Sequence, residues 1–172
     1  MHKLRSHPLT TGHTRVSRWI YWKPPDWPWC MLNTDGAHNR NGISTAGGLI
    51  RDHLGHWLSG FGMMIGSCSI TVAELWSLYQ GLHLAWNSGI RRLKVETNSC
   101  CVAQLVTKPT LEINHYSQLI QTIKDYLKLD WQVSISHIYR EANFAADYMA
   151  SLAFSIPLGF VVYPTPPPPV GR

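Results

Sequence analysis

Residues 30–65 read CMLNTDGAHNRNGISTAGGLIRDHLGHWLSGFGMMI, and three strand signals lie in that stretch. Cys30 to Asn39 is extended, and Asn41-Gly42 marks a tight turn. Ser44 to His53 follows, with small residues around Gly47 and Gly48. The turn at Asp52 to Gly55 leads into His56 to Ile65. Three consecutive strands joined by short turns predict an antiparallel meander.

Downstream the period changes. Leu75, Leu78, Tyr79, Leu82, Ala85 and Trp86 recur at helical spacing, which predicts a helix from about Val72 to Asn87, ended by Gly89. Arg92 to Thr97 reads as a short strand and Ser99 to Val106 as a helix. After the Lys108-Pro109-Thr110 break, a second helix is predicted over Ile113 to Leu129. Trp131 to Tyr139 alternates as a strand, and a last helix spans Phe144 to Phe154. The order β-β-β-α-β-α-α-β-α implies an α/β fold, a mixed five-stranded sheet with helices on both faces.

The chain has 172 residues, of which 45% are hydrophobic, enough for one domain with a real core. The expected organisation is a flexible basic arm over 1–18, a domain over 19–160 and a proline-rich tail over 161–172. No apolar run is long enough to span a bilayer, so no membrane partner is expected. The net charge of +5 suggests nucleic acid, but its location weakens that reading. Lys3, Arg5, Arg15, Arg18 and Lys23 all precede the first acid, Asp26; setting those five aside leaves ten basic side chains against ten acidic ones. Arg91, Arg92 and Lys94 form a local basic cluster that reads equally well as a solvated turn before a strand.

Between the arm and the first strand lie Trp19, Trp22, Trp27 and Trp29, with three prolines among them. The prolines forbid a helix, and the tryptophans are expected to cover an edge of the domain. The four cysteines, Cys30, Cys68, Cys100 and Cys101, form neither a disulfide framework nor a zinc pattern. Buried free thiols in a reducing, intracellular compartment, nucleus or cytoplasm, are the default. The acid-free N-terminal stretch also has the composition of an organelle-import segment or of a polyprotein linker.

With only ten acids in all, an acid inside an apolar segment is informative. Asp35-Gly36 would suit a hairpin turn, but Asn41-Gly42 serves better and is too close to leave a strand between two turns. Asp35 therefore sits inside the first strand, with Gly36 clearing space for a ligand. Glu74 ends a capping-box pattern, Thr71-Val72-Ala73-Glu74, which gives it a structural alternative. Asn98 ends a strand and suits an N-cap, as does Asn143 before the last helix. Asp147 lies among Ala145, Ala146, Tyr148, Met149 and Ala150, where a carboxylate needs a cation or donors. Carboxylates at one strand end and at successive helix starts can converge on one side of a mixed sheet. Magnesium takes a few carboxylates plus water and phosphate oxygens. Two such ions roughly 3.5–4 Å apart support phosphodiester hydrolysis.

The segments LNTDGA, AGGLIRDHLGHWLSGF, AELWSLYQGLHLAW, KVETNS and HIYREANFAADYMA resemble the type 1 ribonuclease H domain. The likeness is greatest to the reverse-transcriptase-like form of plant non-LTR retroelements, and it covers residues 19–160. It implies a ribonuclease H-like fold and endonucleolytic cleavage of RNA in RNA–DNA hybrids with two Mg²⁺ or Mn²⁺ ions. The family's metal positions carry over to Asp35, Glu74, Asn98 and Asp147. His137, ten residues before Asp147, matches a histidine that assists proton transfer or product release. Contacts to the hybrid carry over to Gly36, Asn41, Thr71 and Cys100, with Arg140 assigned to substrate beside them. Asn98 departs from the pattern, because an amide stands where the family has a carboxylate. The implied consequence is weak binding of one ion and reduced or absent cleavage. Glu96, on the same face two residues back, is the candidate substitute. The chain also lacks a basic protruding helix between the third and fourth helices, so modest hybrid binding is expected. The alternative is a catalytically inactive nucleic-acid-binding domain or retroelement remnant. A monomer is expected in either case.

Overall fold

The computed structural model describes residues 21–109 and 113–168. The basic arm, Trp19 and Thr110 lie outside the described residues. The elements are β1 (Cys30–His38), β2 (Ile43–Arg51), β3 (Trp57–Ser67), α1 (Ile70–Asn87), β4 (Arg92–Thr97), α2 (Cys100–Thr107), α3 (Ser117–Leu127), β5 (Gln132–His137), α4 (Phe144–Leu152) and β6 (Gly159–Tyr163). The strands form one sheet in the order β5-β4-β1-β2-β3-β6. The β1-β2-β3 meander and β6 are antiparallel, while β4 and β5 run parallel to β1 and to each other.

The expected five-stranded sheet is therefore six-stranded among the described residues. The extra strand, β6, pairs Gly60 to Met63 with Phe160 to Tyr163. It crosses the expected boundary at 160, so residues 161–163 belong to the sheet and not to a tail. The run Gly159-Phe160-Val161-Val162-Tyr163 is short and abuts Pro164, which hid it as a strand. An outer strand tolerates that proline because its far side needs no ladder donors. Tyr148 Oη also donates to the Pro168 carbonyl at 2.6 Å, tying the following segment to α4.

Side chains alternate across β1, so Leu32 and Asp35 face opposite sides. On the Leu32 side, α1, α2 and α3 share a core with the sheet: Leu32, Ile50, Phe61, Leu75, Leu78, Leu82, Leu93, Val95, Val102, Ile120 and Ile123 are all buried in it. Burial of each such side chain is worth about 1.5–3 kcal/mol. Gly81 lets α1 approach closely, since a Cβ there would lie 2.7 Å from Leu32 Cδ2. On the Asp35 side, α4 lies over β1 and β2. Gly47, the β2 partner of Asp35, has no room for a side chain: a Cβ would stand 2.2 Å from the Ala150 nitrogen. Thr45 Oγ1 donates to the Ala150 carbonyl at 2.6 Å, locking the same contact.

Several local expectations change. Ser69, not Thr71, caps α1, its Oγ accepting from the Val72 N–H at 3.3 Å. The capping box is absent, and Glu74 has no structural duty to the helix start. Ser99, not Asn98, caps α2. Asn143 precedes α4 without a side-chain cap bond. The helix predicted from Ile113 starts at Ser117 because Asn114 captures the chain first: its Oδ1 accepts from the Tyr116 N–H, and its carbonyl from the Ser117 N–H. Ile113 is then 97% exposed instead of facing the core. Trp22 packs on Arg51, whose guanidinium lies 3.4 Å from the ring centroid, but Trp27 is exposed. All four cysteines are free, and Cys100 and Cys101 are exposed rather than buried. No helix among the described residues is long and apolar enough to cross a membrane.

Candidate active site

Asp35 points from the centre of the sheet and is buried. Glu74 reaches it from α1 because Gly36 lets that helix close on β1; a Cβ at Gly36 would lie 2.8 Å from the Glu74 nitrogen. Asp147 comes from α4, seated on Gly47. Asn98 leaves the end of β4, the parallel neighbour of β1. These four side chains line one cleft of about 480 Å³, together with Gly36, Ala37, His38, Ile70, Arg140, Ser151 and Phe154. A second cleft of about 380 Å³, lined by Trp76, Tyr79, His115, Tyr116 and Leu119 among others, has no acid in its wall.

The electrostatics of the first cleft are unbalanced. Burial and the nearby Asp147 charge push Asp35 up to about 7, against a hydrogen bond with Glu74 and one from the Gly36 N–H. Burial and the Asp35 charge push Glu74 up to about 9. The two are so closely coupled that the shared direction is the firm result: without a cation, the pair keeps a proton near neutral pH. Glu74 Oε2 is buried and has no hydrogen-bond partner among the described residues. Arg140 Nη2 lies 3.8 Å from Asp147 Oδ1 at the exposed rim, too loose and wet to neutralise the interior pair.

A polar network flanks the acids. Arg51 Nη2 donates to Asn33 Oδ1 at 2.8 Å. Asn33 Nδ2 donates to Glu96 Oε2 at 2.9 Å and to Asn143 Oδ1 at 3.3 Å. Asn143 Nδ2 donates to the Thr34 carbonyl at 2.9 Å and to Asn98 Oδ1 at 3.2 Å. Glu96 Oε2 thus accepts from Asn33, and Glu96, the candidate substitute, is not in the wall of the cleft that holds Asp35, Glu74 and Asp147.

A divalent cation fits this set only in part. The orphaned Glu74 oxygen and the repulsion between Glu74 and Asp35 are what one ion would relieve. Among the described residues, however, no group of three or more His, Cys, Asp and Glu side chains is arranged to hold a metal as it stands. An ion at Asp35 and Glu74 would draw on water and phosphate oxygens for the rest of its shell.

Of the residues singled out in the sequence, the cleft unites Asp35, Gly36, Glu74, Asn98, Arg140 and Asp147. Asn41 sits in the exposed β1–β2 turn, its N–H donating to Asn39 Oδ1. Thr71 lies in the first turn of α1 and Cys100 at the start of α2, neither in the cleft wall. His137 ends β5, exposed, with its ring against Tyr139 at 6.4 Å and outside the wall. His38 in the cleft wall and the Asn33–Asn143 network carry no motif that the sequence alone singles out. His38 Nδ1 lies 2.7 Å from Ser44 Oγ, whose own proton goes to the Cys68 carbonyl, so Nδ1–H is the donor. Its position at the end of β1, three residues beyond Asp35, was the available signal. The buried asparagines carried none, because their partners lie up to 110 residues away.

A model of the reverse transcriptase-like family matches residues 33–153. An Arabidopsis thaliana protein named "Putative ribonuclease H protein" is 42% identical over 147 residues, 85% of this chain. The chain spans about a quarter of that relative's length (24%). Among solved structures, RNase H1 from the halophilic archaeon Halobacterium salinarum NRC-1 superposes with a TM-score of 0.67 at 23% identity, over 73% of this chain and 97% of that one. LC11-RNase H1 in complex with an RNA/DNA hybrid gives a TM-score of 0.66 at 24% identity, over 72% and 95%. At such identities the likeness shows a shared fold.

Proposed function

The chain belongs to the reverse transcriptase-like family of ribonuclease H-like domains, and from that premise we propose that its cleft binds RNA–DNA hybrid and hydrolyses the RNA strand, with an activity weakened at Asn98. The observation that carries the proposal is the meeting of Asp35, Glu74 and Asp147 in one cleft, with a Glu74 oxygen buried and unpartnered. With both carboxylates ionised, such an arrangement is costly unless a cation completes it, and without one the pair keeps a proton. Mg²⁺ or Mn²⁺, held by Asp35 and Glu74 with Asp147 nearby, would polarise a phosphoryl oxygen and make water nucleophilic near neutral pH.

The chain's own groups do the rest. Asp35 and Glu74 would release their shared proton to solvent on holding the cation. The Gly36 N–H beside them favours the ionised form of each carboxylate, though less than burial opposes it. Arg140, at the rim and only loosely paired to Asp147, is free to meet a backbone phosphate. Asn98 adds no charge, so a second ion in the two-ion scheme faces one carboxylate fewer. The domain acts as a monomer in this reading, and its free cysteines suit a reducing intracellular compartment.

A second reading, a hybrid-binding domain without cleavage, is favoured by one observation. The Asn98 oxygen that would ligate an ion already accepts from Asn143. Cleavage of a labelled RNA–DNA hybrid in Mg²⁺ and in Mn²⁺ separates the two. Slow cleavage, abolished by Asp35→Asn and raised about tenfold or more by Asn98→Asp, supports hydrolysis. Hybrid binding with no cleavage by either the unmodified chain or Asn98→Asp rules it out and leaves the second reading.

A further inference from the structure

We infer that Asn98 faces the cleft as a hydrogen-bond donor to a phosphate oxygen of the nucleic acid, and is not a weakened metal ligand. The inference rests on the cleft being a nucleic-acid site. Which end of the Asn98 amide faces the cleft follows from groups whose hydrogen-bonding sense is unambiguous. The Arg51 guanidinium can only donate, so the Asn33 atom it meets at 2.8 Å is the oxygen. Asn33 Nδ2 is then the atom 2.9 Å from Glu96, a carboxylate that can only accept when ionised. The same nitrogen meets Asn143 at 3.3 Å, which makes the Asn143 atom there an oxygen. The remaining Asn143 atom is therefore a nitrogen. That assignment is confirmed independently, because it lies 2.9 Å from the Thr34 carbonyl, an obligate acceptor. The second proton of Asn143 Nδ2 goes to Asn98 at 3.2 Å and fixes that atom as Oδ1.

Three anchors, a guanidinium, a carboxylate and a peptide carbonyl, thus set the direction of the relay at both ends. Asn33 and Asn143 are buried, so neither amide can turn over without stranding its partners. Asn98 inherits the direction: its oxygen is spent on Asn143. Its Nδ2 has no protein partner among the described residues, and the residue lines the cleft. A carboxylate at 98 would keep one oxygen on Asn143 and offer the other to a cation. The amide offers N–H there instead, which repels a cation and suits an anionic oxygen. Asn143, Asn33 and Arg51 act as positioning residues for this donor.

Three measurements on the full chain test this. The first is hybrid affinity in EDTA at fixed salt, where Asn98→Ala should bind about tenfold more weakly. The second is Mn²⁺ affinity by electron paramagnetic resonance, which Asn98→Ala should leave unchanged. The third needs no mutation: the Asn98 side-chain NH₂ protons should exchange with water more slowly when hybrid is added in EDTA. Undiminished hybrid affinity in Asn98→Ala, weaker Mn²⁺ binding by that variant, or unprotected NH₂ protons would each overturn the inference while leaving the functional reading intact. Failure of the unmodified chain to bind hybrid at all would overturn both.

Discussion

The buried carboxylate pair should make the metal-free domain lose stability as the solution becomes less acidic. A carboxyl group whose acidity is weakened by folding keeps a proton that the unfolded chain has shed. Its favourable contribution is complete below the unfolded pKa and is lost as pH rises toward the folded value. Asp35 and Glu74 are both shifted upward, to about 7 and about 9, by burial first and by neighbouring negative charge second. Counting a single proton retained by the coupled pair, the loss is about 1.4 kcal/mol per pH unit, or roughly 2.7 kcal/mol between pH 5 and 7. For a chain of this size that is roughly 5–10 °C in Tm. The control is the double variant Asp35→Asn/Glu74→Gln, which keeps the shape and removes both titrating groups. Thermal unfolding in EDTA, followed by circular dichroism at pH 5, 6 and 7, gives the difference between the two proteins, and the histidines cancel in the subtraction. Millimolar Mg²⁺ at pH 7 should return part of the loss to the unmodified protein and nothing to the variant. A difference that stays flat from pH 5 to 7, or that grows in favour of the unmodified protein, would show that the pair is ionised and satisfied without a cation.

Gly47→Ala should destabilise by about 3 kcal/mol or more in urea denaturation, because a methyl group 2.2 Å from the Ala150 nitrogen must lift α4 off β2. The same change should weaken divalent-ion binding through displacement of Asp147, measured by calorimetry. Asn33→Leu should cost about 2–4 kcal/mol, since Arg51, Glu96 and Asn143 all lose a partner at once; equilibrium unfolding reads it directly. A chain ended after Ile156 should unfold at lower temperature and self-associate in light scattering. Phe160, 5.8 Å from the buried Phe61 ring, is removed, and the β3 edge is left without its partner.

Much of the architecture was legible because it rests on local patterns. The β1–β3 meander follows from extended runs separated by the Asn41-Gly42 and Asp52-to-Gly55 turns, and α1 from a helical apolar stripe, as the structure confirms. Helix starts were less legible: Ser69 and Thr71 are both good cap residues, and Ser69 is the one that caps α1. The sixth strand was missed because five apolar residues before a proline run have no period of their own. It forms because β3 has an open edge to receive it.

The identity of the acids, their scarcity and the amide at position 98 are properties of the sequence alone. Together with the resemblance to the type 1 ribonuclease H domain, they single out Asp35, Glu74, Asn98 and Asp147 as a set. Only the folded chain decided the rest. It brought those side chains into one cleft through the glycine contacts at 36 and 47, and left Asn41, Thr71, Cys100 and His137 outside its wall. It also paired Glu96 with Asn33 and turned the Asn98 oxygen toward Asn143. The physical reason is range. Helical periodicity and tight-turn signals act over a few residues and can be read along the chain. The direction of a hydrogen bond or the ionisation of a buried carboxylate depends on partners that become neighbours only when the sheet is assembled.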